Sequence, residues 1–106
     1  MVVKNLYKKY SNGYLAIRNN SFSVREGEIF GLLGPNGAGK STTFNIITSA
    51  LSKTSGTVKI LGEEVDQGLH DVFTDVGICP QYDTIYESMT AEEHLNYFAW
   101  IKGLEK

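Results

Sequence analysis

Eight residues constrain this chain more than any others: Gly34-Pro35-Asn36-Gly37-Ala38-Gly39-Lys40-Ser41. They satisfy G-x-x-x-x-G-K-[ST], a phosphate-binding loop that has to join a strand to a helix. The apolar run Ile29 to Leu33 before it reads as a buried strand, and Thr42 to Thr48 after it reads as a helix. Small residues let successive backbone N–H groups turn inward and line a concavity the size of an anion. The helix that follows aims its positive end at the same place. Lys40 is then placed to reach the outer phosphates, and the Ser41 hydroxyl to bind Mg²⁺. An ordinary glycine-rich turn is the bland alternative, and it leaves the Lys-Ser pair and both flanks unexplained.

A chain of 106 residues makes one small domain or part of one. Its net charge of −2 argues against a nucleic-acid-binding domain. Charge is uneven along the chain. Residues 1–25 carry Lys4, Lys8, Lys9, Arg18 and Arg25 without an acid, while residues 60–93 carry nine acids without Lys or Arg. Two solvated faces of opposite sign account for this more simply than a docking site. The single cysteine, Cys79, rules out an internal disulfide framework and suits a reducing compartment. Its apolar setting, Val76 to Cys79, predicts a buried, inert thiol. No run approaches the roughly 18 apolar residues of a membrane helix, and the N-terminus lacks the apolar core of a signal peptide.

Taken in order, Val2 to Tyr7 and Ala16 to Val24 read as strands around an Asn12-Gly13 hairpin turn. The helix after the loop is predicted to run to about Leu51, with Phe44, Ile47 and Leu51 facing a core and Ile46 and Ala50 beside them. Thr57 to Leu61 reads as a strand ending at Gly62, Asp66 to Asp71 as a loop or short helix, and Val76 to Cys79 as a strand closed by Pro80. A final helix starts at a Thr90/Glu93 capping box and stops near Gly103. Its stripe of Tyr97, Trp100, Ile101 and Leu104, widened by Leu95 and Phe98, needs a cover from a further segment or a partner. His70 and His94 are far apart and lack ligand-like neighbours, so neither is assigned a metal.

The spacing of Tyr10, the loop, Ser55-Gly56-Thr57, Gly62 and Ile78-Cys79-Pro80-Gln81 resembles the ATP-binding cassette (ABC) ATPases. The resemblance covers essentially the whole chain but only the first half or so of such a domain. Gly34 through Thr43 looks like that family's form of the loop. Gly77 to Gln81, then Met89-Thr90-Ala91-Glu92-Glu93-His94-Leu95 and Lys102-Gly103, resemble its subfamily A, the lipid-exporter-like branch.

This resemblance implies an α/β fold: a P-loop NTPase core with a small antiparallel β-subdomain, cut before the sheet is complete. Residues 1–106 would be the N-terminal part of an ABC ATP-binding domain, with its Q-loop and the start of a helical subdomain. ATP and Mg²⁺ are the implied ligands. Gly34, Asn36, Gly37, Ala38, Gly39, Lys40, Ser41 and Thr42 would hold phosphate. Tyr10, 24 positions before Gly34, falls where the family places the ring that stacks on adenine, with Tyr7 as its competitor. Gln81 would join Ser41 on Mg²⁺ and sense the γ-phosphate, and Tyr82 to Met89 would face a membrane-domain coupling helix.

The implied partners are the remainder of the domain, a second nucleotide-binding domain and membrane-spanning domains, at the cytoplasmic face of a membrane; no nucleic acid is implied. Ser49 stands where the family often has Gly, and Lys53 where Pro is common. The sequence contains no Leu-Ser-Gly-Gly-Gln signature, no apolar strand ending in Asp-Glu and no downstream switch His. Without the positioned water and the opposing clamp, the chain alone is expected to bind nucleotide poorly and hydrolyse it hardly at all. The alternative readings are part of a soluble, non-transport ABC ATPase and a non-hydrolysing fragment. A GTPase would need Asn-Lys-x-Asp for guanine, and none occurs.

Overall fold

The computed structural model describes residues 1–65 and 76–104. They fall into two compact units, one up to residue 65 and one from Val76 onward. The Asp66–Asp71 stretch and His70 lie outside the described residues.

The first unit is built on a four-stranded antiparallel sheet in the order β2-β1-β3-β4. Its strands are β1 (Val2–Lys9), β2 (Leu15–Ser23), β3 (Ser55–Ile60) and the two-residue β4 (Glu63–Glu64). β1 and β2 form the hairpin expected from Asn12-Gly13. Tyr10 N–H donates to the Tyr14 carbonyl at 2.8 Å, and Asn12 Oδ1 accepts from Tyr14 N–H at 3.0 Å.

Strand β1 buries Val3 and Leu6, three positions apart where a regular strand would repeat every two. A bulge explains the spacing. The register shifts between Val3 and Leu6, and Asn5 takes a left-handed φ of 50°. Ser21 Oγ accepts the Asn5 N–H at 2.8 Å, so the bulge leaves that donor satisfied. On the other side β3 pairs Val58 with Val3, both buried to within 1%.

One helix, α1 (Lys40–Ile47), covers this face with Thr43 and Ile46. The core is Val3, Leu6, Ala16, Ile17, Ile46, Val58 and Val65, with Ile47 and Leu51 packed against it. Phe44, expected in the stripe, is 45% exposed instead. The helix also ends earlier than Leu51, because Ser49 adopts a left-handed φ of 59° and turns the chain out of the ladder. The departure from Gly at this position therefore places a side chain where glycine is the unstrained choice. Ser49→Gly is expected to raise stability by about 0.5–1 kcal/mol, the relief of a left-handed L-residue less the added freedom glycine gives the unfolded chain. An unchanged or lowered urea midpoint would contradict this. The other departure, Lys53, forms an ion pair with Glu64 at 3.6 Å and donates to the Val65 carbonyl at 3.3 Å, tying the α1–β3 connection to the sheet edge.

Two expected strands are not formed. Ile29 to Leu33 is irregular, with Ile29 fully exposed and Leu33 at 92%. Val76 to Cys79 is irregular as well, and Cys79 is exposed rather than buried. A strand exists only through ladder partners, and among the described residues none pairs with either run. Phe30 stacks instead on Phe22 of β2, with centroids 5.0 Å apart and planes 7° from parallel. The basic N-terminal stretch is not one solvated face either, since Lys8 is only 7% exposed.

The second unit carries α2 (Ala91–Ile101). Its capping box forms as expected: Thr90 Oγ1 accepts from Glu93 N–H at 3.3 Å, and Glu93 Oε2 accepts from Thr90 N–H at 2.7 Å. These hydrogen bonds, the backbone one foremost, hold the Glu93 carboxyl below its ordinary value of 4.5. A depressed folded-state value contributes stability that is present above the ordinary value and lost as pH falls through the folded one. Thr90→Ala is expected to cost the helix about 1 kcal/mol at neutral pH, and that difference is expected to shrink below pH 4. Circular dichroism across pH 2–7 reads both; a mutant difference as large at pH 2 as at pH 7 would contradict the Glu93 half of the box.

His94 uses both ring nitrogens. Nε2 accepts from Tyr86 N–H at 2.8 Å, which leaves Nδ1 to donate to the Thr90 carbonyl at 3.0 Å. Tyr86 and Tyr97 meet edge to face at 5.8 Å. The stripe Trp100, Ile101 and Leu104 stays exposed, as do Leu95 and Phe98.

Candidate functional site

The loop is assembled from local rules. Ala38 N–H donates to the Pro35 carbonyl at 3.1 Å, closing a turn over Asn36 and Gly37. Gly39 then takes φ 92° and serves as the N-cap of α1. No other residue fits there. A Cβ on Gly39 would stand 2.5 Å from the Ala16 carbonyl oxygen and 3.4 Å from Ile17. This close approach seats the loop on β2, so the hairpin fixes where the loop sits.

The helix start is anchored from below by Thr43. It is 1% exposed, and its hydroxyl donates to the Gly39 carbonyl at 2.8 Å. Sequence reasoning did not single out Thr43. Its place one turn after the glycine, on the face that Ile46 continues, is the signal that could have done so. No side chain caps α1, which leaves the first-turn N–H groups, with the helix dipole behind them, facing outward.

Lys40 curls back over the loop and donates to the carbonyls of Gly34 and Pro35, the latter at 2.9 Å. Its ammonium is thus held above the turn. At Gly34 a Cβ would come 3.1 Å from that of Ala38, a tight contact. An uncapped helix start, a cation above it and a turn of small residues together fit an anionic phosphate. Asn36 and Ser41 are exposed on the rim.

The fit to Mg²⁺ is narrower. Ser41 offers one hydroxyl in the first turn, and no group of three or more His, Cys, Asp or Glu lies together among the described residues. A divalent ion held here would take most of its oxygens from phosphate and water, the usual state of Mg²⁺.

Tyr10 and Tyr7 part company. Tyr10 lies next to α1, its hydroxyl 3.3 Å from Thr42 Oγ1, and its ring packs with Tyr14 at 6.1 Å between centroids. Tyr7 falls between the buried Leu6 and Lys8, so strand alternation turns it to the other face of β1. The structure therefore brings Tyr10, Thr42 and the loop together within the first unit. Gln81 belongs to the second unit, exposed in an irregular stretch after Pro80.

The ABC transporter family matches residues 17–106. ABC transporter A family member 7 of Arabidopsis thaliana is 43% identical over 91 residues, covering 86% of this chain and 10% of its own length. ABC transporter A family member 5 of Dictyostelium discoideum is 39% identical over 105 residues, covering 96% of this chain and 6% of its own. The chain thus spans a tenth or less of these two curated relatives. Among solved structures, an ATP-binding subunit of an ABC transporter superposes with a TM-score of 0.85 at 32% identity, covering 99% of this chain and 43% of the other. The ADP conformation of an ABC transporter's ATP-binding cassette aligns over 62% of this chain with a TM-score of 0.59. The chain belongs to the ABC transporter family, and within it to the ATP-binding domain of the A-family type.

Proposed function

We propose that this chain grips ATP for an A-type ABC transporter, as the N-terminal part of a nucleotide-binding domain. The observation that carries the reading is the Lys40 ammonium held over a glycine-rich turn at the uncapped start of α1. Gly34, Asn36, Gly37, Ala38, Gly39 and Lys40 take the β- and γ-phosphates, Thr42 the inner phosphate, and Tyr10 the face of the base. Ser41 would offer its hydroxyl to Mg²⁺, which when bound would neutralise phosphate charge; the family resemblance alone adds Gln81 as a ligand. Stacking on Tyr10 adds affinity through the ring face with little demand on base identity.

The remaining catalytic groups come from elsewhere in the assembly. The rest of the domain supplies the acidic pair and the switch His, and a second nucleotide-binding domain supplies the signature that closes over the nucleotide. Tyr82 to Met89 and the exposed stripe of α2 meet the rest of the domain or membrane-spanning domains at the cytoplasmic face. ATP closure then drives movement of a substrate, and the resemblance of Gly77 to Gln81 and Met89 to Leu95 to the lipid-exporter-like branch points to a lipid.

Nuclear magnetic resonance titration of the chain with ATP and with inorganic tripolyphosphate tests the grip. Both are expected to move the Gly37–Thr42 amides, and ATP alone the Tyr10 ring. Unmoved loop amides would overturn the reading. In the complete transporter, reconstituted in vesicles, ATP-driven movement of a fluorescent phospholipid tests the lipid assignment; its absence with ATPase intact would overturn that part alone.

A further inference from the structure

Lys8 is a cation whose placement the phosphate grip does not use. It is 7% exposed, opposite Ile17 in the β1–β2 ladder, and among the described residues no carboxylate pairs with it. An ammonium buried to this degree is costly unless its surroundings replace the lost water. Two groups do so. Its Nζ donates to the Ser52 carbonyl and lies 5.2 Å from the centroid of the Tyr10 ring. That distance is within cation–π range, and removal from water strengthens the attraction.

The same ring is held at its other end, where the Tyr10 hydroxyl meets Thr42 Oγ1 at 3.3 Å. A ring fixed by its face and by its hydroxyl has lost its rotamer freedom before any ligand arrives. Binding a base to it then carries a smaller ordering cost than binding to a mobile ring.

We propose that Lys8 is a positioning residue for the base site: its buried ammonium, spanning Ser52 and the Tyr10 ring, holds that ring ready to stack on the base of a nucleoside triphosphate. The inference rests on the assignment of ATP to the loop, and it concerns the base alone. Lys8 is none of the residues proposed to hold phosphate or metal. Its effect is therefore confined to ligands that carry a base, which separates this role from a general one in folding.

The test measures dissociation constants of ATP and of inorganic tripolyphosphate for the full chain and for Lys8→Met, Lys8→Arg, Tyr10→Leu and the Lys8→Met/Tyr10→Leu double variant. Lys8→Met is expected to weaken ATP about tenfold, the scale of a desolvated cation–π contact, with tripolyphosphate unchanged. The double variant is expected to bind ATP no more weakly than Tyr10→Leu, because the two act as one unit. Lys8→Arg is expected to stay within about threefold of the unmutated chain, as it keeps a cation over the ring.

A parallel fall in both ligands, additive losses in the double variant, or unchanged ATP affinity in Lys8→Met would each overturn the proposal. Should Lys8→Met not fold, Lys8→Gln, which keeps a donor toward Ser52, takes its place: a loss confined to ATP supports the proposal, and a parallel loss or none overturns it. Failure of the ATP assignment itself looks different: neither ligand then binds the unmutated chain.

Discussion

Lys40→Ala is expected to weaken ATP binding by about 30- to 100-fold, in this chain and in the complete domain alike. That size follows from the bonds removed. A hydrogen bond to a charged group is worth about 1.5–3 kcal/mol, and each 1.4 kcal/mol is tenfold in affinity. The lysine also braces the loop through the Gly34 and Pro35 carbonyls. Its loss leaves those acceptors to water and the turn less well held. Calorimetry with ATP and with tripolyphosphate is expected to show the same factor for both, since the ammonium acts on phosphate. Affinity within threefold of the unmutated chain would refute the assigned role. Tyr10→Leu is the contrasting variant, acting on ATP and sparing tripolyphosphate.

The second large effect is on the fold. Gly56→Ala is expected to destabilise the chain by about 3 kcal/mol or more, enough to unfold much of a marginal domain. Gly56 has φ 91°, a conformation that costs an L-residue about 1–2 kcal/mol. The added methyl would also strike the Asn5 carbonyl oxygen and lie 2.8 Å from Leu6 Cα. Those atoms are backbone at the β1 bulge and cannot swing aside as a flexible side chain would. β3 would have to lift from β1, separating Val58 from Val3 at the centre of the core. Urea unfolding measures the change, and a loss under 1 kcal/mol would mean that the bulge yields more easily than its packing implies.

These two effects touch different parts of one architecture. β1 carries Tyr10 just beyond its end, β2 supplies the Ala16 carbonyl on which Gly39 rests, and β3 pins the bulge that sets the phase of β1. The loop is thus seated by an antiparallel sheet that supplies none of its proposed phosphate ligands. Damage to Gly56 is expected to reach the site through the sheet, whereas damage to Lys40 leaves the sheet intact.

Much of this was legible in the residues because the interactions are local. A loop motif encodes its own turn, the Thr90/Glu93 box encodes a helix start, and Asn12-Gly13 encodes a hairpin, each within a few positions. The spacing of Tyr10 from Gly34 pointed, through likeness to a family rather than through physics alone, to the ring that lies beside α1. What could not be read concerns partners distant along the chain. Ile29 to Leu33 has the composition of a buried strand and stays irregular and exposed, because apolar residues do not supply ladder partners. Phe44 looks as fit for the core as Ile46, and the seat of Gly39 on Ala16 decides which face of α1 turns inward. Lys8 reads as one of several solvated cations, yet the fold closes over it beneath Tyr10. Burial belongs to the packed assembly of strands and helix, so composition sets what a residue can tolerate and tertiary packing sets what it meets.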